Sequence, residues 1–154
     1  GLKSYHKLDA KNRTTYWRCV EPARKTDVVI TLENGVYHIT GTSKGKKIDK
    51  TEESKGLPWY QNLGYLSGTV VPDSGSVKYE CFQPGPFSLH QMAAEKYARD
   101  SSADKTCVRA HPAGAASKMY HADYYFSPET RLLVGYKAVE GVPGTPVTTW
   151  TLVR

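Results

Sequence analysis

Four side chains have the chemistry for acid–base work on a substrate: Glu80, His111, His121 and Lys137. A carboxylate or imidazole can take a proton, a second imidazole can return one, and a lysine can steady developing negative charge. They are spread over almost sixty residues of chain, so only the fold can bring them together. A second set has the chemistry for binding rather than reaction. Trp17, Arg18, Trp59 and Tyr60 offer rings and a cation, and Lys44, Lys46, Lys47 and Lys50 form a polycationic run. Rings stack on unstacked bases and cations neutralise phosphates, so this mixture suits a single-stranded polyanion.

The charge distribution agrees with the second set. The chain of 154 residues carries a formal charge of +6, and residues 1–55 hold 12 Lys or Arg against 7 Asp or Glu. In that stretch Tyr5, His6, Tyr16 and Trp17 are interleaved with Lys3, Lys7, Lys11, Arg13 and Arg18. Such a balance favours a polyanionic partner. No segment has the length of uncharged apolar residues that a spanning helix needs, so no membrane partner is expected.

Cys19, Cys81 and Cys107 allow one bridge and one remaining thiol. Cys81–Cys107 is the expected disulfide, with Cys19–Cys107 competing, in a secreted chain whose signal peptide has been removed. There is no CxxC, no phosphate-cradling glycine pattern and no full set of metal ligands at suitable spacing, so neither a cofactor nor a metal is expected.

The elements that must position these groups are mostly strands. Asp27–Leu32 and Val36–Thr40 flank Glu33-Asn34-Gly35, the strongest short hairpin signal. Thr42–Gly56 reads as a loop or hairpin extension. Further strands are expected at Tyr65–Val71, Val77–Cys81, Thr106–Arg109, Met119–Phe126, Leu132–Val139 and Val147–Val153. One helix is expected over about 88–99, with Ser88 as N-cap, Gln91 completing a capping box, and Leu89, Met92, Ala93 and Tyr97 on one face. These elements predict an α+β fold: one domain over residues 1–154, an antiparallel sheet packed on that helix, with a β-hairpin subregion in residues 1–55.

Tyr79-Glu80-Cys81, the following Phe87-Ser88 with its alanine-containing segment, and Ala122–Phe126 with Leu132–Gly135 resemble the fungal guanyl-specific ribonucleases and the ribonuclease-like secreted effectors of powdery mildew fungi. The resemblance covers about 60 residues and implies a ribonuclease-like fold. The family's Tyr-Pro-His segment is absent, its arginine after Ala-Asp is Tyr124, and the strand that should end in a catalytic histidine reads Gly135–Val139. The resemblance therefore implies a secreted, catalytically inactive, monomeric effector that binds a host protein or RNA. A small active ribonuclease is an alternative. Asn12–Cys19 and Gly35–Ile39 also resemble the FLYWCH-type zinc-finger framework. Only Cys19 stands at a ligand position there, which implies a nucleic-acid-binding module without its zinc.

Overall fold

Strands account for nearly all the regular structure in the computed structural model, which describes residues 1–65, 70–114, 120–140 and 148–151. The chain divides into two compact units, residues 1–61 with 80–90, and residues 62–79 with 91–154.

The first unit is built on a five-stranded antiparallel meander. Its strands are β1 (Lys3–Leu8), β2 (Thr14–Glu21), β3 (Thr26–Glu33), β4 (Val36–Ser43) and β5 (Lys46–Glu53), paired in chain order. Asn34 and Gly35, at φ 50° and 80°, form the expected tight turn between β3 and β4. Lys44 and Gly45, at φ 50° and 77°, repeat it between β4 and β5. Two successive left-handed residues give a turn whose twist matches that of the strands. The polar stretch 42–56, expected as loop or hairpin extension, therefore contains a full strand.

Trp17, Cys19, Val28, Ile30, Tyr37 and Ile39 point to one side of this meander, where they join Trp59, Phe82 and Phe87 in a buried core. The rings meet edge to face: Tyr37 lies 5.2 Å from Trp59 and 4.9 Å from Phe82 between centroids. That geometry sets the positive edge of one ring against the negative face of another.

The remaining strands are β6 (Ser76–Gln83), β7 (Ser88–Lys96), β8 (Thr106–Pro112), β9 (Tyr120–Phe126), β10 (Leu133–Glu140) and β11 (Thr148–Thr151). They form a second sheet in the order β11-β10-β9-β8-β7-β6. Ala94, Ala110, Ala122 and Ala138 lie side by side across β7 to β10. The other parity presents Glu95, Arg109, Asp123 and Lys137 in one row. Of the expected strand Tyr65–Val71, residues 66–69 lie outside the described residues, as do Met119, Val147 and residues 152–153.

The α+β expectation is corrected. Residues 88–96 are a strand followed by a short 3-10 turn, Ala98–Asp100, and no α-helix occurs among the described residues. The chain reverses just where the helix was to start. The Phe87 amide donates to the Gln83 carbonyl at 3.0 Å, with Gly85 and Phe87 in left-handed conformations. Ser88 Oγ contacts His90 Nε2 at 2.9 Å instead of capping an amide. From Met92↔Pro112 to Lys96↔Val108, β7 pairs with β8. Helix preference differs between residues by only a few tenths of a kcal/mol, about 0.7 at most among ordinary ones. A twelve-residue helix is marginal alone, and β8 would be left with an unpaired edge.

Candidate nucleic-acid interface

The outward side of the five-stranded meander is a continuous, solvent-facing surface. Because side chains alternate along a strand, the residues between the core positions must all face out. Three rows result. Lys3, Val20, Asp27, Thr42 and Lys47 form the first, Tyr5, Arg18, Val29, Thr40 and Asp49 the second, and Lys7, Tyr16, Thr31, His38 and Thr51 the third. All fifteen are exposed or half-buried. Adjacent strands lie about 4.8 Å apart, so the face is roughly 20 Å across.

Its charges balance overall, with three of its four cations grouped on β1 and β2. Four cations, Lys3, Lys7, Arg18 and Lys47, stand against four carboxylates, Asp27, Glu33, Asp49 and Glu53, with Lys47 Nζ 3.8 Å from Asp49. The Arg18 guanidinium donates twice to the Asp27 carboxylate, at 2.8 and 2.7 Å. That pair of hydrogen bonds holds the Asp27 carboxyl below its ordinary range. Lys7 Nζ lies 5.2 Å from the centre of the Tyr16 ring, and Tyr5 is directly opposite Arg18. Threonines and Val29 give the middle of the face low relief, so an extended chain could lie across it.

The expected binding residues divide between the two sides. Arg18 and Lys47 belong to the open face. Trp17 points the opposite way, 2% exposed, with its indole N–H donated to Ser4 Oγ at 2.7 Å. Trp59 and Tyr60 are also buried, at 1% and 8%. These three rings are core residues, which corrects their assignment as contacts. Lys50 shares the inward parity of Ile39 and reaches Glu52 at 2.7 Å and the Phe87 carbonyl at 3.1 Å. Lys44 sits in the β4–β5 turn, its amide donating to Thr26 Oγ1. Lys46, at the start of β5, is exposed but of the inward parity. The sequence pattern named Lys3, Tyr5, Lys7 and Tyr16 among its interleaved cations and rings but did not separate them from the inward Trp17, and it did not include His38. Strict two-residue alternation, which separates Tyr16 from Trp17, is the signal that finds them.

The acid–base candidates do not form a set. Glu80, in the first unit, is fully buried and accepts from Tyr37, Ser54 and the Lys55 amide. His111, His121 and Lys137 belong to the second unit. There the organising residue is one that sequence reasoning did not single out. Arg109 donates to both oxygens of Asp123, at 2.7 and 2.9 Å, and to Asp100 at 3.3 Å, while stacking 3.6 Å from the centre of the Tyr97 ring. His121 Nε2 lies 3.8 Å from the same Asp123. Burial, and then the nearby Arg109 charge, lower the His121 pKa below its ordinary 6.5. His111 Nδ1 contacts the Pro112 carbonyl oxygen at 2.9 Å. The Arg109 cation is thus committed to Asp123 and Asp100 rather than to a phosphate.

All three cysteines are free thiols, so the expected Cys81–Cys107 bridge is not formed in the structure. Burial pushes the Cys81 and Cys107 thiols up to about 12, far from thiolate chemistry. Asp100, Cys107 and Asp123 offer ligand atoms within 4.8 Å of one another. A cation could enter there only by displacing Arg109. Among the described residues no helix is long and apolar enough to cross a membrane. No family model, curated protein or solved structure matches the chain.

Proposed function

We propose that this chain is a binding module that holds single-stranded RNA against the open face of its first sheet without cleaving it. One observation carries the reading: alternation along β1 and β2 puts Lys3, Tyr5, Lys7, Tyr16 and Arg18 on the same exposed surface, beside His38 and Lys47. Bases stack on the tyrosines while the lysines and Arg18 take the phosphates. The secreted effector setting, with host RNA as the ligand, is supported by the sequence resemblance alone.

The test is fluorescence anisotropy with a labelled twelve-nucleotide single-stranded RNA. Affinity should fall steeply between 50 and 200 mM salt, because each neutralised phosphate adds about 0.7 to the log–log slope. Tyr16→Ala should weaken binding by the worth of a stacked base, about 1–3 kcal/mol. Lys7→Ala should reduce the salt slope. Failure to bind RNA at any salt would leave a host protein as the ligand. Cleavage of total RNA that His121→Ala abolishes would overturn the non-catalytic part. For the setting, the protein from its source should be found in the secreted fraction, and its confinement to the cell fraction would remove that part.

A further inference from the structure

Four large hydrophobic side chains are strongly exposed among the described residues, and three of them belong to one edge of one sheet. Leu2, Tyr5 and Leu8 are 54%, 50% and 40% exposed, the fourth being Leu132. Tyr5 lies within β1, with Leu2 just before it and Leu8 at its end. This strand is terminal in its sheet, so the side away from β2 presents backbone donors and acceptors that no described strand takes. The opposite edge differs. On β5, Lys50 reaches the Phe87 carbonyl and Glu52 accepts from the Leu89 amide. Proteins usually blunt a free edge with charge, proline, short length or a bulge. On β1, the devices are Lys3, Lys7 and a register shift between Lys7 and Leu8.

We propose that the free edge of β1 takes up an acidic, extended peptide of another protein as a sixth strand. The charge on β1 selects the occupant. The strand has two lysines and no carboxylate, and neither lysine forms an ion pair among the described residues. A second copy pairing antiparallel about Tyr5 would set Lys3 against Lys7 twice, and like charges placed opposite each other destabilise a sheet. A partner strand with acidic residues four apart places one opposite each lysine. Apolar residues at its ends cover Leu2 and Leu8. Main-chain hydrogen bonds supply affinity and the side chains supply choice, as in other cases of strand addition. This inference goes beyond the RNA reading, although Lys3 and Lys7 serve both surfaces.

The experiment uses the whole chain and a labelled synthetic peptide, Val-Glu-Val-Thr-Val-Glu-Val, followed by anisotropy and amide hydrogen exchange. The peptide should bind, and the β1 amides facing away from β2 should gain protection. N-methylating alternate peptide amides, which leaves its charge untouched, should abolish binding. Lys3→Glu with Lys7→Glu, checked for an unchanged fold, should weaken binding about tenfold. Absence of binding overturns the proposal, as does binding that survives N-methylation or leaves β1 unprotected. Concentration-dependent self-association that protects β1 without peptide also overturns it, in favour of a second copy. Peptide failure with RNA still bound in a Tyr16-dependent way removes this inference alone. RNA failure with the peptide bound removes only the other.

Discussion

The phenol of Tyr37 donates to Glu80 Oε2 across 2.6 Å, and both residues are fully buried. Ser54 Oγ reaches the same oxygen at 2.9 Å, and the Lys55 amide reaches Oε1 at 2.6 Å. Burial, and then the adjacent carboxylate, raise the Tyr37 pKa well above its ordinary value, so the phenol stays a donor. The network joins β4, the chain after β5 and β6 within the first unit. Tyr37→Phe should cost about 1.5–3 kcal/mol, the range for a bond to a charged group. Glu80→Leu, which orphans all three donors, should cost more. Urea unfolding measures both, and RNA affinity of the folded variants should be unchanged.

Gly41 is a position where only glycine fits. Its φ is +129°, and an added Cβ would stand 2.2 Å from the Asp27 carbonyl oxygen, which is backbone and cannot swing away. Gly41→Ala should therefore destabilise the chain by at least about 2 kcal/mol, since conformational strain adds to the clash. Thermal unfolding would show it, and an unchanged melting temperature would refute the close approach.

Arg109 and Asp123 should respond very differently to single and double replacement. Asp123 is 1% exposed, and Arg109→Ala leaves its charge without compensation. The expected loss is about 3–5 kcal/mol. Replacing both, Arg109→Met with Asp123→Leu, should recover most of it, because a buried pair is worth little against a well-packed apolar one. A double-mutant cycle by chemical denaturation gives the answer.

Protonation of His121 supplies a pH dependence with a definite sign. Its folded pKa lies below the ordinary 6.5, chiefly through burial. The unfolded chain therefore takes up the proton first as pH falls. Stability from this group is complete above about pH 6.5 and declines below it, until the folded state also protonates. His6, lowered by burial, acts in the same direction. Melting temperature should drop between pH 7.5 and 5.5, and His121→Gln should reduce that drop.

Turns and strands were legible locally because their signals are local. Asn34-Gly35 marks a hairpin since few other pairs accept two left-handed residues in succession. The strands around it, and those at 76–83, 106–112 and 120–126, follow from β-branched and aromatic runs. Chemistry was less legible. Trp17, Trp59 and Glu80 have the residue types of a site, yet the first two fill the core and the third is enclosed by donors. Residue type does not specify which way a side chain faces until a strand's partners are known.

The sequence alone determined the β-rich first half, the Asn34-Gly35 turn and the positive charge of residues 1–55, because each depends on residues adjacent in the chain. The tertiary structure alone decided that residues 88–96 form a strand. Their helical spacing is worth a few tenths of a kcal/mol per residue, while pairing with β8 satisfies backbone groups that would otherwise lose their partners. It also decided that Arg109, with no local signal, holds Asp123 and Asp100. Arg109 and Asp123 meet only when β8 and β9 fall into register, with Asp100 reaching them from the turn before β8, and register is set by which face of the whole sheet is buried.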